Sequence, residues 1–138
     1  MGWLFKTEPS QYSLDDLARD GRAVWDGVTN PLALKNLRQA RKGDPVLIYH
    51  TGDERKAVGL ARIVKEPYPD PKRGSEKLVV VDIEFAQPLG RPVALDEMKK
   101  NPRLKGFDLL RLGRLSIVPV SDDHWQEIMK MAGRKTEP

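Results

Sequence analysis

The chain has 138 residues, with 24 Lys and Arg against 20 Asp and Glu, a formal net charge of +4 and no cysteine. That length suits one domain with a core of its own, and the missing cysteines exclude a disulfide framework, a thiolate metal site and the Cys-x-x-Cys chemistry of zinc deaminases. No apolar run approaches a membrane span and Met1–Lys6 does not open as a signal peptide, so the expected setting is cytoplasmic, with no membrane partner.

Trp3 to Lys6 reads as a short apolar strand, stopped at Pro9. Ser13 with Asp16 resembles a capping box, which predicts a helix over Leu14–Asp20 that Gly21 ends. Ala23–Trp25 is a brief strand candidate. Trp25 is followed at once by the turn signal Asp26-Gly27, so its ring either plugs the core or lines a pocket for something flat. Asn30 as N-cap and Pro31 at the first helical position predict a second helix. Leu34, Leu37 and Arg41 share its face, and Lys42-Gly43-Asp44 closes it.

Strand signals follow at Val46–Tyr49 and Ala57–Val64, joined by a polar loop containing Gly52. Gly59, inside the second, marks a bulge or a close backbone approach. Pro67–Gly74 contains Pro67, Pro69 and Pro71 and reads as irregular, whereas Leu78–Phe85 alternates and is the strongest strand. Leu95–Lys100 reads as a short helix and Leu115–Val118 as the last strand. Ser121 caps a final helix with Asp122 and Asp123 in its first turn and Gly133 beyond it. His124 is expected at the surface, and Arg134–Pro138 is expected to be a frayed tail. Short strands interspersed with short helices, without regular βαβ units, point to an α+β fold on a small curved sheet or barrel.

The sequence pI is about 9.4. Basic residues concentrate between Lys35 and Lys65 and again between Lys99 and Arg114, which suggests a polyanion partner. The phosphate loop, the dinucleotide fingerprint, the serine elbow and the His-Glu-x-x-His pair are all missing. No catalytic set, metal or cofactor is therefore expected. A carboxylate hydrolase would need Glu8, Asp26 and Asp44 to converge. Four stretches place polar or aromatic groups where a strand meets a loop: Trp3–Ser10, Trp25–Asn30, Tyr49-His50 and Arg111–Ser116. Singly, each has a structural explanation. Together they supply faces for stacking on a base, groups for its hydrogen-bonding edge and cations for phosphate.

At these residues the chain resembles the EVE domain family. Trp-Leu-Phe-Lys-Thr-Glu-Pro, Trp-Asp-Gly-Val-x-Asn with Asn-Leu-Arg, and Lys-x-Gly-Asp before a strand ending Tyr-His are similar to its first three blocks. Gly-x-Ala-x-Ile-Val-Lys-Glu-Pro-Tyr-Pro-Asp and Arg-Leu-Ser-Ile-x-Pro-Val are similar to its last two. The blocks stand in order from Trp3 to about Val120, and the final helix fits as well. The resemblance implies a PUA-like fold, a curved β-barrel with flanking short helices, as one domain over residues 1–133.

It also implies a non-enzymatic reader that takes a modified base of DNA or RNA, methylated or hydroxymethylated cytosine, into an aromatic pocket. Carried onto this chain, the pocket residues are Trp25, Asn30, Tyr49 and His50, with Lys6, Glu8, Ser10 and Ser116 beside them. Trp25 would stack on the base and Asn30 would read its edge or organise the wall. Lys6, Arg114, Arg111 and Arg38 would hold phosphate. A sensor of a free nucleobase or nucleotide remains an alternative, as does an enzyme on nucleic acid with Glu8 as general base. Where the family often continues Arg-Asn-Tyr-Gln-Ala-Arg, this chain has Thr29-Asn30-Pro31-Leu32-Ala33-Leu34. The change removes two cations and one ring from the expected neighbourhood of the pocket and slightly favours the sensor.

Overall fold

The computed structural model describes residues 1–133; the expected frayed tail, 134–138, lies outside them. Trp3, Leu4 and Phe5 are all buried, the signature of a strand covered on both faces. They belong to β1 (Gly2–Thr7), the penultimate strand of a six-stranded sheet. The other strands are β2 (Arg22–Trp25), β3 (Pro45–His50), β4 (Lys56–Asp70), β5 (Ser75–Ala94) and β6 (Ile117–Val120), in spatial order β2-β5-β4-β3-β1-β6. β1 runs parallel to β3 and every other pairing is antiparallel. Helices α1 (Leu14–Asp20), α2 (Pro31–Leu37), α3 (Leu95–Lys99), α4 (Asp108–Arg111) and α5 (Asp122–Met131) flank the sheet, so the α+β class holds. No described helix is long and apolar enough to cross a membrane.

The sheet curls. Three strands stand between β2 and β1, yet the rings of Trp25 on β2 and Phe5 on β1 lie 5.5 Å apart. Register shifts along β3–β4 and β4–β5 supply the bend, because each bulge adds local twist. The arrangement is barrel-like, as expected, but β1 and β2 share no ladder and the seam between them stays open.

Helix α1 belongs to the connection between those two strands. Its capping box forms as the sequence implies: the Asp16 amide donates to Ser13 Oγ, and the Ser13 amide donates to the Asp16 carboxylate. A second anchor comes from His50. The Leu14 N–H donates to His50 Nε2 at 3.0 Å, which leaves the ring proton on Nδ1 to be donated to Glu54 Oε1 at 2.9 Å. Gly59 fulfils both of its expected roles. It lies at a register shift, and a Cβ there would stand 2.5 Å from the methyl carbons of Leu14.

Several expectations need correction. Pro67 and Pro69 do not break β4, which runs on to Asp70. That stretch pairs only with β5, and Pro67 falls within a register shift, so neither proline removes a needed ladder bond. β5 extends past Phe85 to Ala94. β6 begins two residues later than expected, at Ile117. Arg41 lies beyond the end of α2. His124 is half-buried, with its ring 5.4 Å from that of Phe107.

Candidate functional site

The open seam holds a cavity of about 640 Å³, within the range of small-ligand pockets. One wall is the end of β1, where Lys6, Thr7 and Glu8 emerge, followed by Gln11 and Tyr12. The opposite wall is β2 with its turn: Arg22, Trp25, Asp26 and Gly27. Asp20, at the end of α1, closes one side. Gly27 has φ +81, the left-handed conformation that makes the sharp turn after Trp25 possible.

Trp25 settles the alternatives of plug and wall by being both. It is 8% exposed, packs tilted on Phe5 and meets Tyr12 edge-on at 6.3 Å, yet it lines the cavity. Its indole N–H has no hydrogen-bond partner among the described residues. No fully enclosed side-chain polar atom among the described residues lacks one, so this N–H reaches accessible space. The Asp26 carboxylate beside it is exposed and makes no hydrogen bond or ion pair among the described residues.

Tyr12 is fixed by donating its hydroxyl to Asp20 Oδ2 at 2.8 Å. Burial, and then that hydrogen bond, push the Tyr12 phenol up to about 12. Burial and Asp82 do the same for Tyr68, also to about 12. Both folded values lie above the ordinary tyrosine value. Their contribution to stability is therefore complete below pH of about 10 and is lost as the pH climbs toward 12. Burial raises Tyr49 as well, so an alkaline absorbance titration should show all three tyrosines ionising above their ordinary value in the folded protein, Tyr12 and Tyr68 near pH 12, and near pH 10 after unfolding.

Lys6 is half-buried. Its Nζ donates to the Gly113 carbonyl at 2.8 Å, stands 5.8 Å from the Tyr49 ring centre and has no carboxylate partner among the described residues. Burial lowers its pKa. Through Gly113 it touches a second, shallower groove of about 290 Å³, lined by Asn30, Leu32 and Leu112 to Leu115. Arg114 stands there unpaired among the described residues.

Of the residues expected in one pocket, Lys6, Glu8 and Trp25 line the cavity; Ser10, Asn30, Tyr49, His50 and Ser116 do not. Ser10 directs both its amide and its hydroxyl at Glu8 Oε2. Those two bonds, the hydroxyl first, hold the Glu8 carboxyl below its ordinary value, the opposite of what a general base needs at neutral pH. Tyr49 is buried beside Lys6, and His50 anchors α1. Ser116 contributes its carbonyl to the Lys6 amide. Asn30 caps α2, its Oδ1 accepting from the amides of Leu32 and Ala33, so it faces the second groove rather than the cavity. Arg111 is paired with Asp108, and Arg38 donates to the Lys77 carbonyl; neither lines the cavity or the second groove. Among the described residues no group of three or more His, Asp or Glu side chains is placed to hold a metal.

The family model for the EVE domain matches residues 2–131. The chain belongs to the EVE domain family. It is 29% identical to mouse thymocyte nuclear protein 1, across 99% of this chain and 74% of that protein. A solution structure from Rhodopseudomonas palustris is 40% identical with a TM-score of 0.91, covering 96% of this chain and 92% of that one. The crystal structure of human thymocyte nuclear protein 1 in complex with 5-methylcytosine-containing DNA is 29% identical with a TM-score of 0.87, covering 99% of each chain.

The departures of this EVE domain fall away from the main cavity. Leu34 is buried on the inner face of α2 and Pro31 opens that helix. Leu32 is 43% exposed on the second groove, and Thr29 is exposed. The substitutions therefore remodel α2 and the second groove, and leave the walls around Trp25 as they are. Gln11, Tyr12, Asp20 and Arg22 also line the cavity without having been singled out in the sequence, and Asp26 was placed in a binding stretch without a role of its own in the pocket. Their one local signal is an aromatic residue placed just before a capping box, at a strand-to-helix junction.

Proposed function

We propose that this EVE domain, as one domain over residues 1–133, is a non-enzymatic reader that takes a methylated or hydroxymethylated cytosine of DNA or RNA into the seam cavity. The observation that carries the reading is the pairing, at one turn, of a cavity-facing indole with an unpaired carboxylate. A cytosine edge offers an amino donor beside two acceptors, and a carboxylate accepting from the amino group is its natural partner. Trp25 stacks on the base, and Asp26 accepts from the amino group. Lys6 Nζ serves an acceptor, and Arg114 neutralises a phosphate. That a human relative forms a complex with 5-methylcytosine-containing DNA supports the reader function. A cytoplasmic setting belongs to this reading.

The test is a binding titration with unmodified, methylcytosine, hydroxymethylcytosine and methyladenine oligonucleotides, single- and double-stranded, at two salt concentrations. A preference for one modified cytosine that weakens with salt is expected. Binding of a free base with no salt dependence would instead make the protein a small-molecule sensor, and turnover of the oligonucleotide would make it an enzyme. Asp26→Asn should lower the preference for cytosine over other bases by about 1–3 kcal/mol while leaving the fold intact, because the side chain is exposed.

A further inference from the structure

The turn that leaves α2 and the hairpin of β4 and β5 are brought together by two hydrogen bonds. The Arg38 guanidinium donates to the Lys77 carbonyl at 2.6 Å, and the Lys42 amide donates to Glu66 at 3.1 Å. Eight cations and four carboxylates lie within residues 35–44 and 65–77, and that surplus of four equals the formal net charge of the whole chain. Three of the carboxylates are committed internally. Asp44 accepts from Trp3 and from the Arg41 amide, Asp70 is buried against Arg73, and Glu66 takes the Lys42 amide. Lys35, Lys42, Lys72 and Lys77 are exposed and form no ion pair among the described residues; Lys65, exposed and likewise without an ion pair, holds its Nζ 4.1 Å from the centre of the Tyr68 ring.

We propose that this basic surface is a second nucleic-acid contact, which tracks the backbone phosphates of the duplex flanking the base held in the seam. The inference rests on the reader function for that orientation. Ammonium groups without a carboxylate partner among the described residues, spread over two elements and not gathered round a cavity, match a repeating line of phosphates better than a single anion. The first end of α2 faces the groove that holds Arg114, and its last end carries the patch. The helix has seven residues and is about 10 Å long at 1.5 Å each. That is roughly three base-pair steps of 3.4 Å, so the patch meets phosphates about three steps from the one that Arg114 neutralises.

The test is a salt series of fluorescence-anisotropy titrations on one duplex, unmodified and with a single 5-methylcytosine. The proteins compared are wild type, Asp26→Asn and the combined K42A/K65A/K77A variant. The combined variant should reduce the slope of log affinity against log salt by about 0.9 for each lost contact, equally on both duplexes, and leave the methylation preference unchanged. Asp26→Asn should change base selectivity and leave the slope unchanged. An unchanged slope in the combined variant overturns the patch. If the wild type shows no preference for a modified base but the slope still falls, the reader function fails and the patch stands. Binding of phosphatidylserine vesicles through these three lysines, with no change in the duplex slope, overturns the proposal in favour of a membrane surface.

Discussion

Trp25→Ala is expected to abolish binding of the modified base and to weaken the fold. Losing the stacked ring costs about 1–3 kcal/mol of binding. Truncating a buried tryptophan costs about 3–5 kcal/mol of stability. Both follow from one placement, in which Phe5 and Tyr12 hold the ring while it walls the cavity. Trp25→Phe is the milder change, because it keeps part of the packing and a smaller stacking face while losing the fused ring and its N–H. Urea unfolding and base titration should show Trp25→Phe losing less stability and less binding than Trp25→Ala. A folded Trp25→Ala protein that binds unchanged would place the ligand elsewhere.

Gly59→Ala is expected to lower stability by about 1–3 kcal/mol, the usual cost of forcing a carbon into a filled core. The added Cβ would stand 2.5 Å from both methyl carbons of Leu14, and Leu14 is held in place by the hydrogen bond its N–H donates to His50 Nε2. Leu14→Ala alone should cost about 2–5 kcal/mol through the void it leaves. Combined, the two changes should cost less than their sum, since the second removes the atoms that the first strikes. Strict additivity in denaturant unfolding would show that α1 does not bear on Gly59 and that some other contact positions the helix over the seam.

The helices were legible because their signals are local. The Ser13–Asp16 box, the Asn30-Pro31 start and the Ser121 cap all formed where the residues indicated. The far half of β4 was not legible. A proline argues against a strand, unless the strand is an edge there, and only pairing over many residues makes it one. The site divides in the same way. Lys6, Glu8 and Trp25 belong to short motifs next to strands and line the cavity. His50 was misplaced because its identity says nothing of the Leu14 amide it accepts. Asn30 was misplaced because one residue type serves equally as a cap and as a reader of bases. Tyr12 and Arg22 come to the cavity only through the curl of the sheet, which no window of sequence contains.

The position of β1 has a consequence for biosynthesis. Leu4 pairs with Leu47 on one side and with Val118 on the other, so the first strand made waits for one of the last. At about 5–20 residues per second, a ribosome takes on the order of ten seconds to pass from β3 to β6. Throughout that interval one edge of the apolar Trp3-Leu4-Phe5 strand is free to pair with another nascent chain. Yield in cells should therefore depend more on translation speed and chaperone access than on the stability of the finished protein.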